Sequence, residues 1–114
     1  MRVGTWQWMA PEILRDGPNT KETDVWAFGL IVWEILFKKI PFKELGPHQM
    51  VNQVGKNEKF VNNYLWTKHK KVCDPFLTEI SKMCTAYDPK ERPTFAELSK
   101  LFDESKKHSG EESF

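Results

Sequence analysis

Apolar residues recur at helical spacing along this chain, and no stretch alternates with the period of two long enough for a strand. Thr20 caps a helix predicted to run to about Phe37. Its apolar residues form two stripes: Val25, Phe28, Val32, Ile35 and Leu36, then Trp26, Leu30, Trp33 and Phe37. A helix that is apolar nearly all round is a buried helix. Asp74-Pro75 starts a second helix, with an acid at the cap and Pro at the first helical position. Phe76, Leu77, Ile80, Met83 and Cys84 then recur at helical spacing. Thr94-Phe95-Ala96-Glu97 matches a capping box, and opens a third helix with Phe95, Leu98, Leu101 and Phe102 on one face.

Between these lie weaker signals. Residues 1–19 read as loop with one short helical turn near Pro11 to Arg15, and Pro47 starts a short helix covering Met50, Val51 and Val54. Gly55 to Lys71 reads as polar and irregular, with Phe60, Tyr64 and Trp66 scattered through it. From Ser105 the chain is polar, and a frayed, disordered tail is expected over 105–114. The fold class predicted is mainly α: a helical array around one buried central helix.

Composition narrows the function classes. The length of 114 residues suits one small domain or a piece of a larger one. A net charge of +1 gives no field pointing to nucleic acid or a membrane surface. Aromatic content of 13% with five Trp excludes a disordered chain. No apolar run reaches the ~18–20 residues needed to span a bilayer, and the start lacks a signal-peptide stretch, so a cytoplasmic setting is expected. If Cys73 and Cys84 share a helix they lie about 16 Å apart. A disulfide needs Cα atoms within ~7 Å, so two buried thiols are expected. His48, His69 and His108 sit in polar stretches and read as solvated. There is no Gly-rich phosphate loop, Walker lysine, nucleophile-elbow serine or zinc spacing, and no catalytic, cofactor or metal residue is assigned.

One constellation carries more. Gly4-Thr5-Trp6-Gln7-Trp8-Met9-Ala10-Pro11-Glu12 resembles the end of a protein-kinase activation segment. Asp24-Val25-Trp26-Ala27-Phe28-Gly29, twelve residues after Glu12, is similar to the stretch that opens the central helix of the kinase C-lobe. Asp88-Pro89-Lys90-Glu91-Arg92-Pro93-Thr94-Phe95 resembles the stretch before the last helix. The Gly-Thr start followed by Trp-Met-Ala-Pro-Glu resembles the tyrosine-kinase-like group, whose members mostly phosphorylate Ser and Thr. The three segments come in family order and make residues 1–104 a partial kinase domain. The Gly-rich loop, strand lysine, helix glutamate, H-R-D loop and D-F-G site are absent from the sequence.

The resemblance implies roles. Thr5 would lie near the substrate pocket, and Trp6, Gln7, Trp8 and Met9 would form the wall that receives the residue after the phosphoacceptor. Glu12 and Arg92 would form a buried ion pair holding that wall on the last helices. Asp24 would accept backbone N–H bonds from the catalytic loop; on its own it is a first-turn acid. ATP and magnesium are implied for a complete domain only. Protein substrates or scaffold partners are implied, with no nucleic acid and no membrane. The chain departs from the family in three places. Lys38 stands where many relatives have Gly, Thr85 where Trp is common, and Lys56 to Lys71, with the basic run Lys68-His69-Lys70-Lys71, matches no motif.

Three functional readings follow. The first is the substrate-side segment of a Ser/Thr kinase, inactive alone. The second is a non-catalytic binding or scaffold module that presents the Pro47 helix and the basic run. The third is a truncated, non-functional fragment, suggested by a start inside the activation segment.

Overall fold

A computed structural model describes the backbone of residues 5–69 and 74–112, and the side chains of 6–69 and 74–107. The described residues form helices and loops, with no strand among them. The helices are α1 (Pro11–Leu14), α2 (Lys21–Phe37), α3 (Pro47–Gln49), α4 (Glu58–Asn62), α5 (Pro75–Cys84) and α6 (Phe95–Glu112). Two of them run on into wide π-type turns: α3 through Met50–Val54 and α4 through Asn63–Thr67. Tight 3-10 turns occupy Thr5–Trp8 and Pro89–Glu91.

The helix starts follow the expected local chemistry. Thr20 and Thr23 cap α2 reciprocally: the Thr23 N–H donates to Thr20 Oγ1 at 3.3 Å and the Thr20 N–H to Thr23 Oγ1 at 2.6 Å. Asp74 Oδ1 accepts the Leu77 N–H at 3.1 Å at the head of α5. Thr94 and Glu97 close the capping box of α6 at 3.0 and 2.8 Å. The end of α2 is tighter. Lys38 turns left-handed there, with φ 56° and ψ 39°, and its N–H donates to Glu34 O at 2.7 Å. A side chain in that conformation costs about 1–2 kcal/mol, which is why Gly is favoured at such positions.

Helix α2 is the centre of the molecule and builds two cores. One face sends Trp26, Leu30 and Trp33 against Phe42, Met50, Val54, Val61, Tyr64 and Leu65. The other sends Val25 and Phe28 against Ile80 and Cys84 of α5 and Leu98 of α6. The α2–α5 crossing is close because Gly29 carries no side chain. A Cβ there would stand 2.6 Å from the Cys84 Cβ and 2.9 Å from the Thr85 Cγ2. The Ser81 hydroxyl uses the gap, donating to Gly29 O at 2.8 Å. Thr85 fits this packed seam as a buried residue whose hydroxyl donates to Ser81 O at 2.8 Å.

The structure corrects the sequence reading at several points. Helix α2 is not covered all round: Ile31 is 48% and Ile35 62% exposed. An apolar pattern shows which positions can be buried, not which face has a neighbour. Gly55 to Thr67 is not irregular. Asn57 caps α4, and Val61, Tyr64 and Leu65 are buried against α2. His69 is not solvated: its Nδ1 lies 2.7 Å from Tyr64 O, and its ring packs edge-on to Trp33 with centroids 5.0 Å apart. Helix α6 does not end near Ser105 but continues to Glu112, since Ser105 to Ser109 holds no helix breaker. Cys84 is a buried free thiol, while Cys73 and the His108 side chain lie outside the described residues.

Candidate functional site

Glu12 and Arg92 form the most heavily bonded group among the candidate site residues. Pro11 at the first position of α1 fixes the backbone, so Glu12 emerges in the first turn, facing the rest of the chain. Arg92 follows the tight turn that Asp88 caps through Lys90 N–H at 2.9 Å. The guanidinium is fully buried and the Glu12 side chain 14% exposed. Nη1 and Nη2 donate to the two Glu12 carboxylate oxygens at 2.7 and 3.0 Å, a bidentate fork. Nη1 also donates to Glu22 O at 2.9 Å, Nη2 to Tyr87 O at 3.2 Å and Nε to Ala86 O at 2.8 Å. All five N–H groups of the guanidinium have acceptors. The charge also sits 5.1 Å from the Trp26 ring centroid. A buried cation with every donor matched is tolerable; one lacking its carboxylate is not.

Upstream of this clasp lies the 3-10 turn Thr5–Trp8, after which the Met9 N–H donates to Trp6 O at 3.2 Å. Trp6, Trp8 and Met9 lie half-buried on the core around Trp26. Gln7 is buried, its Nε2 3.4 Å from Leu45 O, while its Oε1 and the Trp8 Nε1 are buried with no partner among the described residues. The Trp26 Nε1 in the core is likewise buried without a partner among the described residues. Thr5 belongs to the same turn, but its side chain lies outside the described residues. Trp8, Met9, Ala10 and Ile13 line a shallow pocket of about 230 Å³, completed by Asn19, Thr23, Asp24 and Ala27 of the α2 start. Asp24 is exposed in the first turn of α2, on the rim of this pocket. The fold thus joins Glu12 and Arg92 across 80 residues of sequence and places Trp8, Met9 and Asp24 around one pocket.

Sequence reasoning missed a second tie beside the clasp. Arg15 Nη1 donates to Gly55 O and to the Tyr87 hydroxyl, and that hydroxyl donates to Val54 O at 3.0 Å. It joins α1, the turn after α3 and the turn after α5. Burial, opposed by Arg15, pushes the Tyr87 phenol upward. Two deeper groups shift further. Burial pushes the Cys84 thiol to about 12. Burial and then the Glu44 carboxylate raise Tyr64 to about 12. Neither is poised for chemistry near neutrality. Among the described residues, no three His, Cys, Asp or Glu side chains converge as a metal site.

The family model described as "Protein tyrosine and serine/threonine kinase" matches residues 2–102. The chain is 39% identical over 93 residues to the insulin receptor of Xenopus laevis, covering 81% of this chain and 6% of that protein. It is 33% identical over 97 residues to serine/threonine/tyrosine-protein kinase HT1 of Arabidopsis thaliana, covering 84% and 23%. It is 36% identical over 99 residues to serine/threonine-protein kinase CTR1 of Arabidopsis thaliana, covering 87% and 11%. The chain therefore spans less than a quarter of the length of each of these relatives.

Proposed function

Because the chain belongs to the protein tyrosine and serine/threonine kinase family, as a kinase-domain segment of the tyrosine-kinase-like type, we propose that it is the substrate-side platform of a Ser/Thr protein kinase. The observation that carries this reading is the clasp. Glu12 and Arg92 tie α1 to the last turns, and the segment before α1 packs Trp6, Trp8 and Met9 on the core near Asp24 at the head of α2. Positioning is most of what a phosphotransferase asks of its protein, because the transferred group carries its own reactivity. Trp6, Gln7, Trp8 and Met9 are the wall against which a protein substrate lies. Asp24 offers its carboxylate to backbone N–H groups of the catalytic loop that a complete domain supplies. ATP and magnesium belong to that complete domain.

Alone, the chain transfers no phosphate. It has no base, nucleotide clamp or metal ligands of the family type, so nothing stabilises charge in the transition state. A chimera tests both halves of the proposal. This chain replaces the matching segment of Arabidopsis CTR1, and labelled phosphate is followed onto peptides with Ser, Thr or Tyr. Phosphate on Ser and Thr is expected from the chimera and none from the chain by itself. Phosphotyrosine as the main product, or transfer by the isolated chain, would sink the reading.

A further inference from the structure

A pocket formed by described residues lies away from the clasp, between the loop that follows α2 and the wide turn that follows α4. It has a volume of about 560 Å³, within the range of small-ligand sites. Lys38, Lys39, Lys43 and Lys68 line it, with Glu44, Ile40, Tyr64 and His69. Four lysines and one glutamate thus share this lining. The cations at the C-terminal end of α2 are favoured by the helix dipole, which accounts for Lys38 and Lys39. Lys68 caps the C-terminal end of the wide turn Asn63–Thr67, and Lys43 lies in the loop after α2.

The walls of this pocket are held firmly. Lys68 Nζ sits 5.1 Å from the centroid of the Tyr64 ring. The Tyr64 hydroxyl accepts the Phe42 N–H at 2.9 Å, and His69 Nδ1 lies 2.7 Å from Tyr64 O. The loop that presents the lysines is strained. Lys38 and Phe42 both have φ 56°, and both carry side chains where glycine would relax the backbone. Strain of this kind persists where the surroundings over-determine it, and it clusters at binding sites.

We propose that this pocket binds a phosphomonoester carried on a protein side chain. Lysine ammonium groups are point charges that approach a tetrahedral dianion from several directions, whereas planar carboxylates are better met by the arginine fork. The pocket contains no arginine. A concave site with an aromatic floor and Ile40 on its rim takes one stem and its terminal charge, and a flat lipid surface fits it poorly.

The test uses the full chain in nuclear magnetic resonance titrations. The probes are a blocked phosphoserine tripeptide, its unphosphorylated twin, inorganic phosphate, and vesicles containing phosphatidylserine. The phosphopeptide should shift the Ile40, Tyr64 and His69 amides saturably, and more tightly than inorganic phosphate; the twin should leave them unmoved. Lys43 and Lys68 are exposed, so the variants K43A/K68A and K43Q/K68Q should melt like the parent. They should bind the phosphopeptide roughly tenfold more weakly. Replacing Lys106 and Lys107, also exposed, should change nothing. The proposal fails if the phosphopeptide does not saturate, if inorganic phosphate binds more tightly, or if the Lys106 and Lys107 variant loses as much. It also fails if vesicles alone engage these residues.

Discussion

At the scale of single residues, Arg92 decides most. Removing Glu12 leaves a buried guanidinium short of its carboxylate, a loss of about 3–5 kcal/mol. Glu12→Ala and Arg92→Ala should therefore each lower stability by that order in urea melts. The double variant should fall well short of the sum, because the second change removes a charge already orphaned. Additive losses would show that the two are not coupled. Arg92→Lys should rescue little, since one ammonium cannot serve acceptors on Glu12, Glu22, Ala86 and Tyr87 together. The pair was legible in the sequence because Glu12 and Arg92 stand in segments that resemble one family's motifs. The carbonyl acceptors were not, because they depend on where three separate turns come to rest.

Two other residues set the behaviour at high pH. Cys84 and Tyr64 both titrate near 12 in the folded protein, above their ordinary 9 and 10. Above pH 9 the unfolded chain loses these protons first, so it binds fewer protons than the native state and stability falls as pH rises. The stabilisation is whole below pH 9 and is lost progressively towards 12. Thermal midpoints measured across that window should decline, and Cys84→Ala should make the first part of the decline shallower. An unchanged profile in that variant would mean that the thiol is not buried as described.

At the scale of elements, the α2–α5 crossing rests on Gly29. Ala at this position puts its Cβ 2.6 Å from the Cys84 Cβ, and neither helix backbone yields cheaply. Overpacking of this kind costs about 1–3 kcal/mol. Gly29→Ala should lower the melting midpoint despite the better helix propensity of Ala. Combining it with Cys84→Gly should recover part of the loss, and no recovery would place the strain elsewhere. Helix starts were legible because a cap is a local affair between a side chain and a backbone N–H three residues on: Thr20, Asp74 and Thr94 each announce one. Helix α4 carried a similar signal in Asn57 and in Phe60, Val61, Tyr64 and Leu65, apolar at i, i+1, i+4 and i+5. The polar residues between them obscured it. The wide turns at Met50–Val54 and Asn63–Thr67 have no comparable signature in the sequence.

At the scale of the whole molecule, the apolar strip Ile31, Ile35 and Ile40 is the feature that composition could not reveal. These side chains are 48%, 62% and 40% exposed on one side of the central helix and its following loop. Apolar surface gathered in one place promotes association. The chain by itself should sediment as a concentration-dependent mixture, and Ile31→Lys with Ile35→Glu should shift it towards monomer. A monomer at all concentrations would show that the strip is too small to drive contact. The central helix was legible from its pattern. Which of its sides lacks a neighbour was not, because that depends on the arrangement of every other element.

The clasp has one more consequence. Its acceptors come from α1, from the first turn of α2 and from the turn after α5. Arg92 is therefore a coincidence detector for assembly. Its last N–H finds an oxygen only when three stretches from distant parts of the chain have arrived together. A partly folded form that lacks any one of them holds a buried cation with an open valence. The clasp thus penalises near-native mistakes more than it rewards any single correct contact.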